Sequence, residues 1–165
     1  MTNAEDISVK SFAAPAYVFE KYSDTVYRLA FVRTKSRNDS DDILQEVFLR
    51  YMRIWRNMQS EEHVKATLIR IAINRSNSWL SSAWFRRTAP LDETIPADCC
   101  FSCENALGEV LKLPLKYRTV IHLHYYMGYS AEEISRITES NPSTVKTRLA
   151  RAREMLKKTI KADDI

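Results

Sequence analysis

The chain has 165 residues, of which 45% are hydrophobic and 28% charged, and its formal net charge is +4. Such a composition excludes a disordered chain, and the presence of only two glycines and five prolines predicts an all-α fold. No apolar run approaches the roughly 18 residues of a membrane span, and residues 1–10 lack the pattern of a signal peptide. We therefore expect a cytoplasmic protein without membrane insertion.

The first two predicted helices follow from periodicity and capping. Apolar residues recur at spacings of three and four from Phe19 onward, which predicts a helix that ends near Thr34. A second helix is expected to start at a cap formed by Asp39 or Ser40 and to continue to Ile54. Its first turn is acidic, as the positive N-terminal end of a helix dipole favours.

A third helix is predicted to start near Glu61 or Glu62. Its apolar face is expected to bury Val64, Leu68, Ile71, Ala72 and Trp79. A polar stripe on the same helix comprises Arg70, Asn74, Asn77 and Ser81. The third helix therefore combines a core face with a stripe of side chains that can bind a polar ligand.

Charge changes sign along the rest of the chain. Residues 63–90 hold five basic and no acidic side chains, residues 91–110 hold five acidic and no basic ones, and residues 141–161 hold seven basic ones against one acid. Two basic blocks around an acidic spacer are typical of two surfaces that meet a polyanion. Helical periodicity fades within the spacer. The sequence therefore predicts a small helical domain at residues 1–84, a flexible linker at residues 85–103 and a second small helical domain at residues 104–165.

The most specific local pattern lies near the C-terminus. Ser130 and Glu133 have the spacing of a capping box, which predicts the start of a short helix. Asn141 is a favourable cap and Pro142 a favourable first residue for another helix, so only a tight turn separates the two. This arrangement is a helix-turn-helix. Polar and basic residues on the second helix, opposite its apolar face, are expected to read DNA in the major groove.

No pattern for catalysis accompanies these motifs. The sequence has no glycine-rich phosphate loop, no His-Glu zinc motif and no nucleophile–base pair, so we predict no catalytic residue, metal, cofactor or small-molecule substrate. Cys99, Cys100 and Cys103 match no standard zinc spacing and are predicted to be free thiols. His122 and His124 are two residues apart, which places them on different faces of a helix.

The C-terminal half resembles region four of the extracytoplasmic-function (ECF) group of the sigma-70 family, the domain that reads the upstream promoter element. The resemblance rests on Leu113–Val120, Gly128–Ser130, Glu133 with Ile134, and Thr144–Arg153, in that order. The turn near Ser140 lacks the glycine that the family usually has there. The resemblance implies upstream-element contacts from Ser143, Thr144, Lys146, Thr147, Arg148 and Arg151.

The N-terminal half is similar to region two of the same family. Asp41–Phe48 resembles the segment that docks on the clamp helices of the largest polymerase subunit, which implies contacts from Asp41, Asp42, Leu44, Gln45, Glu46 and Phe48. Lys65–Arg75 resembles the helix that melts and reads the minus-ten element, which implies contacts from Lys65, Arg70, Asn74, Arg75 and Asn77. The implied partners are core RNA polymerase and promoter DNA, and an anti-sigma protein is a candidate third partner.

A different class of protein is the alternative hypothesis. A helix-turn-helix regulator that binds duplex DNA without contacting polymerase would share the C-terminal pattern. Such a regulator would not need Asp41–Phe48, so loss of polymerase binding after substitution of that segment distinguishes the two hypotheses.

Overall fold

The computed structural model describes residues 11–85 and 104–163. All regular secondary structure in these residues is helical, which confirms the all-α prediction. The chain divides near residue 90 into two compact units, which are described separately. Most of the predicted linker at 85–103, including the three cysteines, lies outside the described residues, so the domain boundaries stay predictions. None of the described helices has the length and apolarity that a bilayer crossing requires.

The N-terminal unit consists of α1 (Pro15–Thr34), α2 (Arg37–Ile54) and α3 (Glu61–Phe85), with 3₁₀ turns at Ser11–Ala13 and Trp55–Asn57. Each of the three helices packs against the other two around one apolar core. Its largest fully buried side chains are Val18, Val26, Leu29, Phe31, Val32, Val47, Tyr51, Leu68 and Ile69. The Tyr51 hydroxyl donates a 2.8 Å hydrogen bond to the Ala13 carbonyl, which fixes the first 3₁₀ turn to this core.

The starts of α1 and α2 differ from the prediction. The first helix begins at Pro15, because proline's fixed φ suits the first turn and its missing N–H is not needed there. Phe19, expected on the buried face, is 49% exposed. The cap of α2 is Ser36, whose Oγ accepts a hydrogen bond from the Asp39 N–H, and the predicted caps at Asp39 and Ser40 were wrong. Ser40 is buried instead, and its hydroxyl donates to the Ser36 carbonyl.

The third helix starts at Glu61, as predicted. Three of the residues expected in its core face are buried, namely Val64, Leu68 and Ala72. Ile71 and Trp79 are only partly buried, whereas Ile69 and Ile73 are buried. The reason is that α3 contacts both α1 and α2, so its buried face is wider than one apolar stripe and is rotated relative to the predicted stripe.

The C-terminal unit consists of α4 (Glu104–Lys112), α5 (Leu115–Ile121), a π-helical turn (His122–Tyr126), α6 (Ala131–Ile137) and α7 (Pro142–Asp163). The predicted apolar residues of α4 are buried, namely Leu107, Val110 and Leu111. Pro114 is the cap that precedes α5 and does not lie inside its first turn, which corrects the prediction by one position. Tyr126, expected with the apolar residues of this segment, is 43% exposed.

The helix-turn-helix forms with the predicted caps. Ser130 Oγ accepts a hydrogen bond from the Glu133 N–H at 3.2 Å, and the Glu133 carboxylate accepts one from the Ser130 N–H at 2.8 Å. Asn141 Oδ1 accepts from the Ser143 N–H at 2.9 Å, and Pro142 is the first residue of α7. Both helices of the motif are therefore started by local side-chain hydrogen bonds.

The turn between these helices contains a backbone conformation that suits glycine. Glu139 has a φ of 53°, in the left-handed region where Cβ crowds the backbone by roughly 1–2 kcal/mol. Because glycine costs about 0.5–1 kcal/mol in chain entropy, Glu139→Gly is expected to raise the free energy of unfolding by about 0.5–1 kcal/mol. Thermal unfolding followed by circular dichroism measures this change. Ser140→Gly, next to it but without a positive φ, should lower stability, and equal effects of the two substitutions would contradict the explanation.

Candidate functional site

A groove lies between the start of α5 and the N-terminal half of α7 in the C-terminal unit. It encloses about 320 Å³ and is lined by Lys116, Tyr117, Ser143, Thr144, Thr147, Arg148 and Arg151. Five of the six residues expected to contact the upstream element therefore share one surface.

The groove is positively charged. Its lining contains three cationic side chains and no carboxylate. A hydrogen bond from Arg151 lowers the pKa of the Tyr117 hydroxyl, and the charge of Lys116 lowers it further, because both stabilise the phenolate. The Lys116 ammonium lies 5.0 Å from the centre of the Tyr117 ring. Cations beside hydroxyl groups are the combination that proteins use for DNA phosphates and base edges.

The packing of α7 explains which residues face the groove. Val145, Leu149 and Ala152 are buried on one side of α7, which packs against α5 and α6 and leaves the opposite side exposed. Lys116 and Tyr117 were not predicted as site residues, because they lie on a different helix and reach the groove only through packing. Their sole signal in the sequence was their place in the family-like segment Leu113–Val120.

Lys146 is the exception among the expected upstream-element residues. It does not line the groove, and its ammonium forms a 2.8 Å ion pair with Glu132 of α6. This ion pair lowers the pKa of the Glu132 carboxyl. Lys146 therefore links the two helices of the helix-turn-helix.

An exposed stripe runs along α2. Asp41, Gln45, Leu49 and Met52 recur at spacings of four, four and three, so they lie on one side of the helix, and all are exposed. Leu49 and Met52 are 60% and 59% exposed, and because they are adjacent on one side of α2 they form an apolar patch, which was missed in the sequence. We call these four residues the α2 stripe.

The other residues expected to contact polymerase lie around this stripe. Asp42 is exposed, and Leu44 is partly buried. Phe48 is only 7% exposed, and its ring packs edge-on against Phe19 with a centroid distance of 4.8 Å. Phe48 therefore packs α2 against α1, and its expected contact with polymerase stays a prediction. Phe19 is the exposed aromatic ring at this position.

Glu46 connects two surfaces that the sequence treated as separate. Its carboxylate forms an ion pair with Arg75 of α3, and both side chains are partly exposed. The Arg75 Nε is buried without a hydrogen-bond partner among the described residues. In the free protein, therefore, Glu46, which is expected to contact polymerase, is paired with Arg75, which is expected to contact DNA.

The polar stripe of α3 is present as predicted. Arg70, Asn74 and Asn77 are exposed at spacings of four and three on one side of the helix, and Lys65 is partly exposed. Asn77 also accepts a hydrogen bond from Arg33 of α1. We call Arg70, Asn74 and Asn77 the α3 stripe.

Two family models match the chain over these two units. Residues 18–86 match the model for Sigma-70 region 2, and residues 105–156 match the model for Sigma-70, region 4. The chain belongs to the sigma-70 family. The region 2 match argues against a helix-turn-helix regulator that has only the C-terminal activity.

Several relatives of this sigma factor are themselves ECF sigma factors. ECF RNA polymerase sigma factor SigW of Bacillus subtilis is 32% identical, with 88% of each chain covered. RNA polymerase sigma factor SigV of the same organism is 31% identical over 84% of this chain and 86% of its own. ECF RNA polymerase sigma factor SigM of Mycobacterium tuberculosis is 30% identical over 84% of this chain and 73% of its own. The chain is therefore an ECF sigma factor.

Solved structures share its fold. The sigma factor RpoE, in complex with the anti-sigma factor NepR from Bartonella quintana, has a TM-score of 0.75 at 19% identity, covering 88% of this chain and 95% of that one. CnrH, in complex with the cytosolic domain of CnrY, has a TM-score of 0.66 at 19% identity, covering 98% and 99%. At these identities the likeness concerns the fold.

Family membership establishes the general function. This sigma factor binds core RNA polymerase and promoter DNA and directs transcription initiation. Sigma factors are not enzymes, so none of the side chains above is assigned a catalytic step. In residues 11–85 and 104–163, no three His, Cys, Asp or Glu side chains group into a candidate metal site.

Proposed function

We propose that the groove between α5 and α7 reads the upstream promoter element. The observation that supports this proposal is a concave surface that gathers Lys116, Arg148 and Arg151 without an acidic neighbour in its lining. Thr144 and Thr147 add hydroxyl groups between these cations. Arginine can donate to two acceptors of one guanine edge, whereas lysine serves phosphate as a point charge.

Within this groove, we propose that Arg151 contacts a base of the upstream element. Arg151→Ala is expected to weaken holoenzyme binding by about 1–3 kcal/mol if the guanidinium contacts a base, and to relax preference at one base pair only. The measurement is binding of the reconstituted holoenzyme to a series of promoter duplexes, each with one base pair of the upstream element changed.

Arg153→Ala is the matched control for this experiment. Arg153 is exposed on the same helix and does not line the groove, so its loss removes one charge and leaves the groove unchanged. Binding should then fall slightly and by the same factor for every duplex. A uniform loss with Arg151→Ala as well would mean that Arg151 contacts phosphate, and the proposed base readout would be wrong.

The N-terminal unit is assigned the other two activities. We propose that the α2 stripe, with Asp42 beside it, binds core polymerase, since exposed apolar side chains with a charged rim are typical of protein interfaces. The α3 stripe is proposed to hold the separated minus-ten strand, because amide and guanidinium groups can bond to unpaired base edges. Lys65 and Arg75 are proposed to add backbone contacts.

An anti-sigma protein is proposed as a further partner. Two proteins with this fold were solved as complexes in which the partner is an anti-sigma factor or a cytosolic domain. The exposed apolar side chains on α2 supply a surface that such a partner would cover in competition with polymerase.

We also propose that the sigma factor is located in the cytoplasm, because the polymerase on which it acts is cytoplasmic.

A further inference from the structure

Arg33 is a buried cation directly beneath the α3 stripe. It lies in the last turn of α1 and is only 4% exposed. Its Nε donates a 2.5 Å hydrogen bond to Ser76 Oγ, and its Nη2 donates to Asn77 Oδ1. The Ser76 hydroxyl in turn donates to the Ile73 carbonyl at 2.9 Å. Arg33 is thus held by α3 at two adjacent positions.

The chemistry of arginine fixes the orientation of the Asn77 amide. A guanidinium has five N–H donors and no acceptor, so only the oxygen of the Asn77 amide can face it. The amide nitrogen is on the other arm of the same planar group and therefore lies on the side away from Arg33. Because Asn77 is exposed, this nitrogen is presented at the surface of the α3 stripe.

We propose that Arg33 is a positioning residue for promoter recognition, which makes Asn77 present only N–H donors to the separated strand. The inference rests on the proposed function of the α3 stripe. A free asparagine can turn its amide and bond to donors or acceptors with similar ease. An amide locked by Arg33 selects a nucleotide atom that accepts hydrogen bonds, which is a base carbonyl or ring nitrogen, or a phosphate oxygen.

Two substitutions separate positioning from simple packing. Asn77→Asp keeps an oxygen for Arg33, and the charged pair should preserve the fold, but it replaces the outward N–H₂ group with an acceptor. Arg33→Gln removes the donor-only partner, since glutamine can donate or accept, and so frees the Asn77 amide to turn.

The test measures binding of the reconstituted holoenzyme to fluorescent single-stranded DNA. The oligonucleotides cover the opened region of a promoter from which this holoenzyme initiates, with each base changed in turn. Asn77→Asp is expected to reduce discrimination at one nucleotide by about two- to tenfold, the worth of one hydrogen bond. Arg33→Gln should relax discrimination at the same nucleotide. Abasic and methylphosphonate substitutions there show whether the acceptor belongs to the base or to the backbone.

Three results would overturn the inference. The first is that Arg33→Gln lowers binding to every oligonucleotide by the same factor, which is the result of a purely structural role. The second is that the discrimination pattern of Asn77→Asp equals that of the unaltered protein, and this result overturns the inference even where Arg33→Gln fails to fold. The third is that the two variants affect different nucleotides, which removes the link between the side chains.

Asn74→Ala distinguishes failure of this inference from failure of the proposed function. Asn74 lies one turn away on the α3 stripe, whereas the Arg33 guanidinium donates to Ser76 and Asn77. If Asn74→Ala weakens single-strand binding while the Arg33 and Asn77 variants behave like the unaltered protein, only the inference fails. If Asn74→Ala also has no effect, the assignment of the α3 stripe to the separated strand fails.

Discussion

Replacing Leu49 and Met52 together with alanine is expected to weaken binding to core polymerase by about 2 kcal/mol or more, roughly thirtyfold in the dissociation constant. The physical reason is that both side chains are about 60% exposed in the free protein and would lose that exposed apolar surface to the interface on binding. Their removal leaves the core of the N-terminal unit intact. Titration of labelled sigma factor with core polymerase, followed by fluorescence anisotropy, measures the change.

Arg50→Ala is the matched control for the polymerase experiment. Arg50 is exposed on α2 but lies on a side of the helix away from the α2 stripe. Its substitution should leave affinity within about threefold of the unaltered protein, as expected for a charge outside the interface centre. Unchanged affinity after loss of Leu49 and Met52 would show that polymerase docks elsewhere.

The structure also decides which charge to reverse on this surface. Glu46 is paired with Arg75, so its reversal would place two cations side by side and disturb the contact between α2 and α3. Asp42 is exposed at the start of α2. Asp42→Lys therefore tests the charged rim of the interface with less effect on the fold.

Replacing Asn74 and Asn77 together with alanine is expected to reduce promoter opening strongly while binding to closed duplex is nearly unchanged. Each base that leaves the stack needs about 1–3 kcal/mol of compensation from a protein surface, and the altered α3 stripe supplies less of it. Duplex affinity depends on phosphate contacts and on the groove of the C-terminal unit. Permanganate footprinting of unpaired thymines reports opening, and a gel-shift assay on the same promoter reports duplex binding.

Ser82→Ala serves as the control for the opening experiment. Ser82 is exposed on α3, and its hydroxyl donates to the Ser78 carbonyl of the same helix, so its loss removes no outward-facing amide. Opening and duplex binding should both stay near those of the unaltered protein. Equal losses in both assays for the asparagine pair would mean that these residues support the fold, and normal opening would place strand separation elsewhere.

The sequence was a good guide to elements that depend on near neighbours along the chain. The capping box at Ser130 and the cap at Asn141 were both found in advance, because each needs only residues within three positions. The start of α2 was placed too late, since several polar residues in a row can each act as a cap. Ser36 is the one used, and Ser40 became buried when α2 packed against α1.

Composition thus determined the all-helical class, and local periodicity and capping determined the helix-turn-helix and the side of α7 that faces outward. Tertiary structure decided which side chains meet across helices. It brought Lys116 and Tyr117 beside Arg151, paired Glu46 with Arg75 and placed Arg33 under Asn77. Periodicity defines a direction around one helix axis, but contacts between helices depend on how those axes cross and on their relative rotation, which are set by the packing of the whole core.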